Sequence, residues 1–227
     1  MTKPANAPTV QWESFQIGGL KLDTRLVVTV VSSTLLLMLD RYHDALRGPT
    51  ASGPFGRAAA DSAVYFLLIP LFIITAVFHD RPAVYGFGLG DWREGLKWSA
   101  LVILAAIPVL YVSTRTPAMT TYYSGVKGSV GEVLLTTAVD LVGWEFLFRG
   151  FLLFGLMRVI GPSALVLQAV PFALMHLGKP EIETLSTIFG GTLFGWVAWR
   201  SRSFVYPFLI HWFVSSFVHM VALGWIG

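Results

Sequence analysis

Four ionisable side chains stand inside apolar runs of this sequence, and they are of the types that hydrolytic chemistry uses. Glu145 and Arg149 lie in Gly-Trp-Glu-Phe-Leu-Phe-Arg-Gly at 143–150, His176 closes Pro-Phe-Ala-Leu-Met-His, and His211 follows Pro-Phe-Leu-Ile. A charge at the bilayer centre costs about 3 kcal/mol on insertion scales, so ionisable groups kept there read as functional by default. A carboxylate takes a proton from water, an imidazole takes or gives one near neutral pH, and a guanidinium holds a carboxylate ionised. Glu145 and Arg149 are four residues apart, which puts them on one helix face within pairing distance. His211 and Ser215 share that interval, setting a hydroxyl beside an imidazole, and Phe172 is one turn before His176, placed to wall the same pocket. Taken singly, each has an ordinary reading: a Glu–Arg pair is common on helices, and a buried histidine often bonds a carbonyl. His43 and His79 fall at expected loops or helix ends, and His219, two turns after His211, is expected to be a satisfied bundle histidine. Asp140, five residues before Glu145, is expected on a different helix face.

The elements that carry these groups are expected to be membrane helices. Of the 227 residues 55% are hydrophobic and 13% charged, about half the charged share of a soluble domain. Seven apolar segments, at 25–39, 61–78, 95–113, 131–157, 162–177, 184–200 and 204–224, are too long and continuous for the alternation of a transmembrane barrel. The fold class is therefore all-α, a polytopic transmembrane bundle of seven or eight helices, and strands are not expected. Residues 1–24 form an N-terminal tail, with no signal peptide and with Trp12, Phe15, Ile17, Leu20 and Leu22 as a possible interfacial segment; residues 25–227 form the helical domain. At 1.5 Å per residue, Glu145, His176 and His211 lie roughly 18, 21 and 12 Å from one membrane face, within about two helical turns of a common depth. Asp91 is placed to cap the third segment, and the glycines before it do not form a dinucleotide fingerprint. Gly190, Gly191 and Gly195 suit close helix packing.

Composition also excludes. With no cysteine, disulfides, thiolate metal sites and cysteine nucleophiles are out. No basic stripe interleaved with aromatics supports nucleic acid as a partner, and no inverted repeat points to a transporter. Membrane lipid is the expected surrounding partner, no cofactor is expected, and the oligomeric state is not legible. The distribution of Lys and Arg among the connections favours a cytoplasmic N-terminus.

In their order and intervals these residues resemble the CPBP group, the CAAX-processing and bacteriocin-processing (ABI) intramembrane endopeptidases. That family's pattern is a pair of glutamates, three residues, Arg and usually Gly, then Phe-x-x-x-His, then His-x-x-x-Asn. The matching positions are Glu145-x-x-x-Arg149-Gly150, Phe172-x-x-x-His176 and His211-x-x-x-Ser215, with the resemblance running from about 85 to 217. Two positions depart from it: Trp144 stands where the first glutamate belongs, and Ser215 replaces the Asn. The resemblance implies an integral protein of a bacterial inner membrane that hydrolyses membrane-embedded or lipidated protein substrates, with Glu145, Arg149, His176, His211 and Ser215 catalytic and with Trp144 and Phe172 against the substrate. On that reading Glu145, held by Arg149, accepts a proton from a water that His176 orients, while His211 and Ser215 donate to the oxyanion. Two competitors stay open: a zinc-dependent protease using the two histidines and the carboxylate, and a catalytically silent membrane binding or immunity protein.

Overall fold

The computed structural model describes residues 14–42, 57–126 and 128–226. Trp12, with the first half of the N-terminal tail, and His43 lie outside those residues. The first described element corrects an expectation. Strands β1 (Ser14–Ile17) and β2 (Leu20–Asp23) pair antiparallel, with Phe15 opposite Leu22. Gly18 and Gly19, at φ 57° and 83°, supply the two positive φ angles that a two-residue hairpin turn of this hand requires. The hairpin is too short to change the fold class.

The rest is helical. Helix α1 spans Thr24–Tyr42, and α2 runs over 57–77 with wide π turns alternating with α turns. Helix α3 is Trp92–Thr114, and its cap is the expected one: the Asp91 carboxylate accepts from the Glu94 N–H. A short α4, Pro117–Tyr123, precedes α5 at 130–160, which opens on a reciprocal Ser129–Glu132 capping box. Then follow α6 at 164–174, α7 (Glu181–Ser201) and α8 (Val205–Ala222). The seven apolar segments thus become α1, α2, α3, α5, α6, α7 and α8. Among the described residues four stretches are long and apolar enough to cross a membrane: Ala60–Val77, Trp92–Thr114, Val130–Leu174 and Val205–Ala222.

Segment 162–177 is shorter as a helix than its hydropathy suggests. Gly161, at φ 61°, turns the chain between α5 and α6, and α6 is then only about 16 Å long. His176 sits in the turn after α6 instead of inside a helix.

Close approaches between helices set the site. An ideal Cβ on Gly143 would lie 2.4 Å from the backbone oxygen of Ser62, so only glycine lets α5 cross α2 here. Ser62 Oγ in turn donates to the Asp140 carbonyl at 2.6 Å, pinning that turn of α5. Gly191 and Gly195 bring α7 against Phe172 and Gln168 of α6, whereas Gly190 faces open space and takes no part. The core between α2 and α5 is aromatic, with Phe66, Phe146, Phe148 and Phe151 fully buried. At the far end of α5, the Asp80 carboxylate accepts from Arg25, from Arg158 at 2.9 Å and from the Tyr85 hydroxyl at 3.1 Å. That cluster ties α1 and α5 to the loop at 78–85.

Candidate active site

The Glu145 motif lies where α5 changes geometry. Glu145 is its last residue before a widened π segment, Phe146–Leu152, in which every side chain is buried. Insertions of this kind occur mostly at functional sites, because they rotate one stretch of a helix against the next. Glu145 and Arg149 are both fully buried and paired, Oε1 to Nη1 at 3.0 Å. The guanidinium also lies 4.0 Å from the Phe172 ring centroid, 5.2 Å from that of Phe194 and 5.6 Å from that of Phe148, so its charge is met by a carboxylate and three rings.

His211, arriving on α8, reaches the same carboxylate oxygen, with Nδ1 2.6 Å from Glu145 Oε1. The 66-residue separation brings an imidazole and a carboxylate into contact across two helices. His176 is held differently: its Nδ1 is 2.8 Å from the Phe172 carbonyl oxygen, and its own carbonyl accepts from the Thr184 hydroxyl at 2.8 Å. Both Nδ1 atoms face oxygen acceptors, which assigns the ring hydrogen to Nδ1 and leaves each Nε2 as the remaining nitrogen. Phe172 stands between them, its ring centroid 4.6 Å from that of His176 and 5.7 Å from that of His211.

Two cavities meet at these histidines. One, of about 340 Å³, is apolar, with Val102, Leu110, Met119, Phe172, Phe194 and Val218 on its wall. The other, of about 300 Å³, is polar and is bounded by Thr136, Thr137, Asp140, Trp144 and His219. His176, Lys179, His211 and Ser215 line both, so they mark the junction. At the rim of the apolar cavity Glu183 accepts from Tyr123 and pairs with Lys179, each at 2.7 Å. Burial, with Glu183 alongside, pushes the Tyr123 phenol above its ordinary value and keeps it a neutral donor.

The structure brings together Glu145, Arg149 and His211 as one bonded group, and His176, His211 and Ser215 at one junction. Trp144 faces the polar cavity and Phe172 the apolar one. One feature of the expected arrangement is not present: Glu145 lines neither cavity and lies behind His211, out of direct contact with the space where a water would sit. Two residues read as peripheral line the polar cavity instead. His219 bonds the Ser215 carbonyl at 2.7 Å, as expected of a bundle histidine, and also faces the cavity. Asp140 shares a helix face with Trp144, four residues on, and opens into the same space. That interval was visible in the sequence; which face looks inward was not. Among the described residues no three His, Asp or Glu side chains are arranged to hold a metal ion.

Residues 126–217 match a family model described as type II CAAX prenyl endopeptidase Rce1-like. The matched stretch holds Glu145, Arg149, Phe172, His176, His211 and Ser215. It agrees with the resemblance to the CPBP and CAAX-protease group, and the four apolar spans support an integral membrane protein. No curated protein and no solved structure matches the chain.

Proposed function

We propose that this protein is an intramembrane endopeptidase that hydrolyses a peptide bond of a membrane-anchored substrate without a covalent intermediate. The observation that carries the reading is the junction: two imidazoles and a hydroxyl stand where an apolar cavity meets a polar one. The apolar side suits the lipid-soluble part of a substrate and the polar side suits water, so the scissile bond belongs at the four shared residues. His176 orients the attacking water through Nε2. The Ser215 hydroxyl donates to the carbonyl oxygen, where charge develops in the transition state, and His211 donates there through Nε2 once the ring carries a second proton. Glu145 acts through His211: it fixes the ring orientation and supplies countercharge to any positive charge the ring takes up during turnover, while Arg149 holds the carboxylate in place. Orientation of the chain with its N-terminus on the cytoplasmic side follows from the Lys and Arg distribution.

The test is direct. Purified protein in lipid nanodiscs is incubated with a library of peptides, each carrying one apolar span and a polar tail, and new termini are read by mass spectrometry. Wild type is expected to cut a subset, and His176→Ala and His211→Ala to cut the same peptides at least about 100-fold more slowly. A wild-type protein that produces no new termini across the library would be read as a silent binder, the function that Trp144 in an acid's position favours. Cleavage abolished by a chelator and restored by zinc would favour the metal reading.

A further inference from the structure

The proposed reaction needs a group that takes the proton of the attacking water, and the residue expected to do so is sealed away. Glu145 is fully buried, bonded to Arg149 and His211, and lines neither cavity. Position 144, one residue earlier, is a tryptophan whose ring stacks on Phe148 and meets Phe66 edge-on. Neither position of the acidic pair therefore presents a carboxylate to the junction.

Asp140 does. Among the described residues it is the only acidic one lining the polar cavity, which it shares with His176, His211 and Ser215. It stands one helical turn before Trp144 on the same face of α5, and its carboxylate is within hydrogen-bonding reach of the Trp144 indole and the Ser62 hydroxyl, with Asp40 of α1 interacting electrostatically. Its turn is fixed by α2, since Ser62 Oγ donates to its carbonyl and Gly143 seats α5 on α2. The cavity's cation, Lys179, faces the same space.

Resting on the peptidase reading, we infer that Asp140 is the general base of this site, an acid displaced one helical turn along the helix face of Trp144. The Asp140 carboxylate accepts a proton from the cavity water as the water oxygen bonds to the scissile carbonyl carbon. The carbonyl π electrons move to oxygen, opposite His211 and Ser215. When the tetrahedral species collapses, the C–N bond breaks and the leaving nitrogen takes the proton back from Asp140. One water is consumed, one carboxyl and one amine are released, and the carboxylate is regenerated.

The experiment compares full-length wild type, Asp140→Asn and the double variant Asp140→Asn/Trp144→Glu on a peptide that wild type cleaves in the library above. Thermal transitions are recorded for each protein, and binding of the uncleaved peptide is measured alongside. Asp140→Asn is expected to lower kcat at least about 100-fold with KM within about threefold of wild type. The double variant puts a carboxylate back on the same face one turn later and is expected to recover at least about tenfold. Full activity in Asp140→Asn, with His176→Ala and His211→Ala inactive, overturns the Asp140 assignment and leaves the peptidase reading standing. No recovery in a double variant whose thermal transition matches wild type also overturns it. Cleavage retained in both histidine variants overturns the peptidase reading and the assignment with it.

Discussion

Replacing Glu145 by Gln keeps the shape of the side chain and removes a charge from a site with no access to water. Arg149 is then a fully buried cation left with a neutral amide oxygen, the Phe148, Phe172 and Phe194 rings and a long contact, 3.5 Å, to the Gly191 carbonyl. Breaking a buried pair from one side costs about 3–5 kcal/mol, because the surviving charge stays desolvated. The ring contacts are present before and after the change and do not offset it, so a loss at the low end of that range, about 3 kcal/mol, is expected. For a chain of this size that corresponds to a fall in Tm of about 6–12 °C. The double variant Glu145→Gln/Arg149→Met removes both charges and is expected to lie closer to wild type than Glu145→Gln alone. Catalysis should not follow stability: in both variants His211 has lost its carboxylate, a change expected to lower kcat by up to about 10⁴, the loss seen when the orienting carboxylate of a catalytic triad is neutralised. Thermal unfolding of purified protein in detergent micelles, with peptide cleavage measured in parallel, gives both numbers. Glu145→Gln within about 2 °C of wild type, or a double variant less stable than Glu145→Gln alone, would refute the claim that this pair is coupled and dry.

Two further outcomes follow from the packing and the loop cluster. Gly143→Ala places a methyl 2.4 Å from Ser62 O, backbone that cannot step aside, so α2 and α5 must separate; a loss of about 1–3 kcal/mol is expected, and an unchanged Tm would refute the contact. Burial pushes the Tyr85 phenol up to about 12 from its ordinary 10. The unfolded chain therefore releases this proton first, and the contribution of Tyr85 to stability, present in full below pH 10, is lost as pH rises from 10 toward 12, by roughly 2–3 kcal/mol. Tyr85→Phe is expected to flatten that alkaline decline, seen as Tm measured from pH 9 to 11, and a decline as steep as wild type would contradict it.

How much of the site was legible follows from how far apart its partners lie along the chain. The Glu145–Arg149 pair was readable because four residues is one helical turn, and the Asp91 cap because capping is local. The Gly18–Gly19 hairpin is local too, and two adjacent glycines permit its turn, but strands of four residues are too short for their alternation to stand out in the sequence. Hydropathy gave the apolar segment at 162–177 its length but not its break at Gly161, since a positive φ leaves no mark on an apolarity profile.

By itself the sequence determined the membrane class, the helical segments, and which side chains are costly enough in lipid to signify chemistry. Those are properties of composition and short-range period, set by backbone hydrogen bonding and the insertion cost of charge. Only the tertiary structure decided which way each helix turns its faces. A widened turn at 146–152, the Gly143 crossing and α8 docking on α5 together put Glu145 behind His211 and Asp140 in the open. Rotation about a helix axis is fixed by the neighbours that pack against it, and those neighbours are distant in the chain.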